Sequence, residues 1–144
     1  MSSIEKQDQS RSDKFHYELK SKKEEICDFQ ALIYKLLPNS VASDIFAMAL
    51  HEIIVNAAEH GNQMSAAKKI IIDIEVNKDF LSAEVEDEGD GFNWKKKLKQ
   101  VFNIECEGER GRGIMMTKKA CDKFYYNEKG NKAYLFKKII FSKK

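Results

Sequence analysis

The sequence predicts an α+β two-layer sandwich, a mixed or antiparallel sheet with about three helices on one face. Three observations lead there. The predicted elements run strand, helix, helix, hairpin, loop, helix, hairpin, so strands come in neighbouring pairs. A doubly wound parallel sheet needs regular strand–helix alternation instead. The chain has 144 residues, 42% of them hydrophobic and 10% aromatic, which suits one domain with a packed core. Finally, its strand candidates alternate apolar with polar residues, so each has one face to bury.

The elements follow in order. Residues 1–13 are polar around a lone aliphatic, Ile4, and read as a mobile tail that precedes a domain over 14–144. Phe15, Tyr17 and Leu19 alternate with polar residues as in a strand. From about Lys23, Ile26, Phe29, Leu32, Ile33, Leu36 and Leu37 recur at helical spacing until Pro38 stops the helix. Asn39 or Ser40 can cap a second helix, which runs to Gly61. Ile70, Ile72, Ile74 and Val76 then alternate with Lys69, Asp73 and Glu75, and the turn Asn77, Lys78, Asp79 leads to a hairpin partner marked by Leu81, Ala83 and Val85. Residues 88–113 hold five of the seven glycines and read as a long binding loop or lid, with a short helix over 95–101 inside it. Residues 114–122 read as a third helix. Residues 124–126 and 134–141 close the domain as a hairpin around Gly130 and Asn131.

Composition narrows the function. With 25 basic against 23 acidic residues, the net charge of +2 gives no strong pull toward nucleic acid or membrane. No apolar run approaches the roughly 18 residues of a membrane span, so none is expected. Cys27, Cys106 and Cys121 form no CxxC pair, which disfavours a disulfide framework or structural zinc and points to a reducing cytoplasm. A metal site built from His16, His51, His60 and the cysteines is also disfavoured, because His51 and His60 fall on different helix faces.

Polar residues on an apolar face carry more information. On a helical wheel at about 100° per residue, Ala42, Ile45, Phe46, Ala49 and Ile53 make the apolar stripe of the second helix. Asn56 and His60 fall in the middle of that stripe, and Glu52 lies at its edge, one turn from Asn56. An unpaired buried polar group costs about 1–3 kcal/mol, so these side chains need partners. Asn56 alone reads as a satisfied core amide; with Glu52 at i, i+4 a site is as good a reading. Asp87 shares a strand face with Leu81, Ala83 and Val85, just before Gly89 and Gly91. It is either good turn chemistry or an acceptor for a ligand amine that the glycines let approach. Gly108, Glu109, Arg110, Gly111, Arg112 and Gly113 precede the third helix, where backbone N–H groups and arginines suit a phosphate, although a flexible linker has the same composition. There is no Walker loop and no GxGxxG after a strand.

Together these elements resemble the GHKL ATPases, the gyrase, heat-shock chaperone, histidine kinase and MutL relatives. EIIVNAAEHGN (52–62) is similar to their N box, DEGDGF (87–92) to the G1 box, and GRGI (111–114) to the G2 box, with Asp122 in the helix that follows. The resemblance covers about residues 14–141. Its nearest branch is the stand-alone anti-sigma-factor serine kinases, and the chain has no room for the phosphoacceptor-histidine domain of histidine kinases.

The resemblance implies the Bergerat fold, with ATP and Mg²⁺ as cofactors. Asn56 would hold Mg²⁺, Asp87 would bind the adenine amino group, and Gly89 and Gly91 would shape the base pocket. Residues 92–110 would form the lid, and Gly111, Arg112 and Gly113 would meet phosphates with help from Arg110. His60 and Phe92 belong to the implied nucleotide-binding set. Glu52 would be the general base in phosphoryl transfer to a protein serine. The implied partners are a small anti-anti-sigma protein of the STAS type and a sigma factor, with homodimerisation expected and neither nucleic acid nor membrane bound directly. The alternative is a non-catalytic switch of the same fold, which changes partners on binding ATP. The acidic stretch 104–107 in the lid, facing a polyanion's site, leans that way.

Overall fold

A computed structural model describes residues 11–96 and 109–139, and of residues 109–112 the backbone alone. Five strands form one sheet: β1 (Asp13–Lys20), β2 (Lys69–Val76), β3 (Phe80–Glu86), β4 (Lys123–Tyr126) and β5 (Lys132–Lys138). Their order is β1-β2-β3-β5-β4, and every neighbouring pair is antiparallel. Among the described residues, three long α-helices accompany it: α1 (Lys23–Leu36), α2 (Val41–Asn56) and α3 (Glu109–Ala120). A π-helical turn, Ala57–Gly61, extends α2. The α+β architecture is therefore the expected one, in its purely antiparallel form. β1 begins at Asp13, the last residue assigned to the tail, and residues 1–10 lie outside the described chain.

The registers explain the layers. Phe15, Ile74, Ala83, Leu135 and Phe124 stand opposite one another across the five strands. With Ile70, Ile72, Leu81 and Val85 they make the sheet's apolar face. α2 packs against α1, α3, β3 and β5, so it is the central helix. Its Phe46, Ala49, Leu50, Ile53 and Ile54 are at most 2% exposed. The opposite sheet face is laced by polar pairs, among them His16 Nδ1 with Asp73 Oδ1 at 2.6 Å and Lys132 Nζ with Glu84 Oε1 at 3.1 Å.

α2 starts cleanly. Ser40 is its N-cap, and its hydroxyl accepts the Ser43 N–H at 3.0 Å. Asp44 in the first turn complements the helix dipole. Val41–Gly61 spans 21 residues and is, by length and composition, long and apolar enough to cross a membrane. That corrects the expectation of no such stretch: scattered polar residues break the run but leave the average high. Over half of its most apolar window is buried, as in the core helix of a folded domain.

Three expectations shift. α3 begins at Glu109, five residues before the predicted 114, so Gly111 and Gly113 sit inside the helix rather than in a loop before it. Glycine weakens a helix by about 1 kcal/mol without forbidding it, and at Gly113 its bareness leaves room for the Glu52 side chain of α2. Of the short helix expected over 95–101, residues 94–96 are helical and 97–101 lie outside the described residues. Ile45, placed on the buried stripe, is 37% exposed, because the face that meets the sheet is centred on Phe46, Leu50 and Ile53.

Candidate functional site

The end of α2 and the start of α3 bring three predicted residues to one place. Glu52 is half-buried, and Asn56, one turn on, is 5% exposed. Gly113 packs directly on them. A Cβ there would lie 2.7 Å from Glu52 Oε1 and 3.6 Å from Asn56 Nδ2. Asn56 Nδ2 is buried without a hydrogen-bond partner among the described residues. Such groups are rare in folded proteins and invite a ligand. Beside them, burial pulls the His51 imidazole below its ordinary pKa, and the Glu52 carboxylate works against that shift.

The second cluster forms where β3 ends. Asp87 is 7% exposed and continues the inward face of Leu81, Ala83 and Val85. Its Oδ1 accepts the Gly89 N–H at 2.8 Å, a turn bond that points the carboxylate toward the π turn. There Gly61 faces it so closely that a Cβ would stand 2.3 Å from Asp87 Cγ. A Cβ on Gly89 would stand 2.2 Å from the Gly61 carbonyl oxygen. Turn and ligand-acceptor readings of Asp87 are thus compatible: the turn bond occupies Oδ1, and bare Gly61 and Gly89 let the chain pack directly around the acid.

Other predicted residues take different positions. Gly91 has φ +84° and packs on the 127–130 turn, where a Cβ would lie 1.9 Å from Lys129 O. Phe92 stacks edge-on against Tyr126 with centroids 5.0 Å apart. It lines an open cleft of about 620 Å³ with Trp94, Tyr126 and Lys129, which Glu52 and Asn56 do not line. His60, placed mid-stripe on the wheel, is exposed. The π turn is the reason: it advances the chain by less than 100° per residue, so the wheel loses phase after Asn56. Gly111 lies in the first turn of α3, as do Arg110 and Arg112, whose side chains lie outside the described atoms. Residues 97–108 of the expected lid, with the acidic stretch 104–107, also lie outside the described residues. Asp122 accepts the Lys138 N–H at 2.7 Å and holds the sheet edge.

Two residues read only as the end of a motif and as part of a turn have larger roles. Asn62 is fully buried; its Nδ2 donates to Ser21 Oγ and to Lys69 O, both at 2.9 Å, and its Oδ1 accepts the Glu88 N–H at 2.8 Å. Asn131 Nδ2 donates to Asp87 O at 3.1 Å. An asparagine beside a glycine reads first as a turn residue, and only the tertiary partners reveal these roles.

The family model of the histidine kinase-like ATPase domain matches residues 29–137. The chain belongs to that family. No curated protein matches it. The ATPase domain thus includes both clusters, and GHKL domains bind ATP, usually with Mg²⁺. The residues here fit those groups. The orphaned Asn56 amide can donate to a phosphate oxygen, and turned about its last bond it offers Oδ1 to a hard cation. The Asp87 carboxylate, nearly buried against bare Gly61 and bonded to the Gly89 N–H through Oδ1, is an acceptor suited to a hydrogen bond from a base amine.

Proposed function

We propose that this ATPase domain is a protein serine/threonine kinase of the anti-sigma type, which binds a sigma factor and phosphorylates a small STAS-type anti-anti-sigma protein in the cytoplasm. Homodimerisation belongs to the same reading. The observation that carries the catalytic part is the meeting of Glu52, the orphaned Asn56 amide and bare Gly113 at one point. In it Asp87 accepts the adenine amine, and Asn56 holds the metal and phosphates. Bound Mg²⁺ supplies charge neutralisation on the phosphates. Glu52 is half-buried, so solvent or a partner's hydroxyl can reach it, and it takes the hydroxyl proton as general base. Gly113 keeps α3 close enough to hold Glu52 and Asn56 side by side. The backbone of the first turn of α3, with Gly111 and Arg112, meets the phosphates, and Arg110 adds charge.

The test is phosphotransfer from labelled ATP to a purified STAS-domain protein, with Glu52→Gln as the variant. Removing a general base costs about 10²–10⁴-fold in rate. Transfer should fall by that much while MgATP affinity stays within about threefold. Transfer retained in Glu52→Gln would sink the base assignment. ATP binding with no transfer by the wild type would leave the partner-switching module instead.

A further inference from the structure

The Asp87–Glu88 peptide lies just beyond the sheet ladder. β3 and β5 pair as far as Glu86 and Lys132. The next ladder position would pair Asp87 with Asn131, and half of it forms: the Asp87 N–H donates to Asn131 O at 2.9 Å. The other half needs the Asn131 N–H to reach Asp87 O. That N–H is instead held by Asn127 Oδ1 at 3.0 Å, inside the turn where Gly130 takes φ +87°. The Asn131 side chain substitutes for it, with Nδ2 donating to Asp87 O at 3.1 Å. Its own Oδ1 accepts from Asn127 Nδ2 at 2.8 Å, which fixes the amide's orientation.

The other end of the same peptide is held from the opposite side. The Glu88 N–H donates to Asn62 Oδ1 at 2.8 Å. Asn62 is fully buried and is anchored by its two other bonds, to Ser21 Oγ and Lys69 O. Glu88 Oε2 closes the ring by accepting the Lys69 N–H at 2.6 Å. One peptide plane is therefore gripped at its carbonyl and its N–H by two asparagine side chains, 44 and 26 residues away in sequence.

We infer that Asn62 and Asn131 are positioning residues which clamp the Asp87–Glu88 peptide plane and so orient the carboxylate that reads the nucleotide base. The inference rests on the nucleotide-binding reading above. Physically, the last ladder bond holds the Asp87 nitrogen, and the clamped plane sets the rotation on the far side of its Cα. With both fixed, the direction of the Cα–Cβ bond is fixed too. The turn bond to Gly89 then has one rotamer to select. Asn62 also follows Gly61, whose bare Cα packs against that carboxylate, so the segment in contact with the acid also grips the loop that carries it. Either bond lost frees the plane to rotate, and a rotating acid distinguishes poorly between an amine and a carbonyl on a purine.

The experiment measures MgATP and MgGTP affinities of the full chain by calorimetry, with a melting curve for each variant. Wild type should prefer ATP. Asn131→Ala should lower the ATP:GTP affinity ratio about five- to tenfold, the value of one hydrogen bond. Placed in an Asp87→Asn background, the same change should leave the ratio where Asp87→Asn set it, because Asn131 acts through Asp87. Asn62→Ala should act in the same direction, and because it strips three buried bonds the half-buried Asn131 carries the test if that variant does not fold. If Asn131→Ala lowers the melting temperature and both affinities alike, with the ratio unchanged, the clamp is only structural and the inference falls alone. A wild type that binds no nucleotide overturns the nucleotide reading together with it, and one that binds both bases equally overturns the base-reading role of Asp87 on which the inference depends.

Discussion

At Gly113 one methyl group separates folding from chemistry. Alanine is favoured over glycine within a helix by about 0.5–1 kcal/mol, and Gly113 lies inside α3. The added Cβ would lie 2.7 Å from Glu52 Oε1, the tip of a flexible side chain that can swing aside. Gly113→Ala should therefore melt within about 3 °C of wild type while losing at least tenfold in phosphotransfer. Melting curves and the labelled-ATP assay read the two effects separately, and unchanged transfer would show that Glu52 does not need its present position. Gly61 differs in kind, since a Cβ there meets the carboxylate of Asp87, which its turn bond to Gly89 already holds.

The elements hold the site through their ends. α2 carries Glu52 and Asn56 near its C-terminus, yet its register is set at Ser40, whose hydroxyl closes the first turn. Losing such a cap costs about 1 kcal/mol. Ser40→Ala should lower the melting temperature by about 3–5 °C at this chain length, without shifting nucleotide selectivity. A change below about 1 °C would mean that packing of Phe46 and Leu50 alone sets the start of the helix. Beyond Asn56 the π turn re-phases the helix, turning His60 to solvent and bringing Gly61 opposite Asp87. π turns of this kind occur often at functional sites. No local residue pattern announces it, because Ala57 and Ala58 fit either winding.

At the scale of the molecule, β3 is the central strand of the β1-β2-β3-β5-β4 order. Its end is therefore flanked by β2 and β5, and both neighbours contribute to the grip on the Asp87 loop: Lys69 from β2 and Asn131 next to β5. Ligand binding at a site spanning α2, α3 and the end of the sheet must stabilise the whole domain. Nucleotide at about a hundred times its dissociation constant adds about 2.7 kcal/mol. MgATP should raise the melting temperature of the wild type by roughly 8–14 °C, and Asp87→Asn should abolish most of that rise. Absence of any rise at millimolar MgATP would leave the family fold with a pocket that does not bind nucleotide unaided.

The residue order alone carried the element order, the two hairpins, the inward face of Asp87 and the pairing of Glu52 with Asn56. Each is a local matter of period two or period 3.6, read from residues a few positions apart. Only the packed fold brings Gly113 to Glu52 and Asn56, sets Gly61 against Asp87, and lets Asn62 and Asn131 grip one peptide plane. Those contacts join residues 26 to 61 positions apart, and no periodicity encodes which distant group a buried amide will satisfy. The buried amide must find a partner, but only the packed fold says where that partner stands.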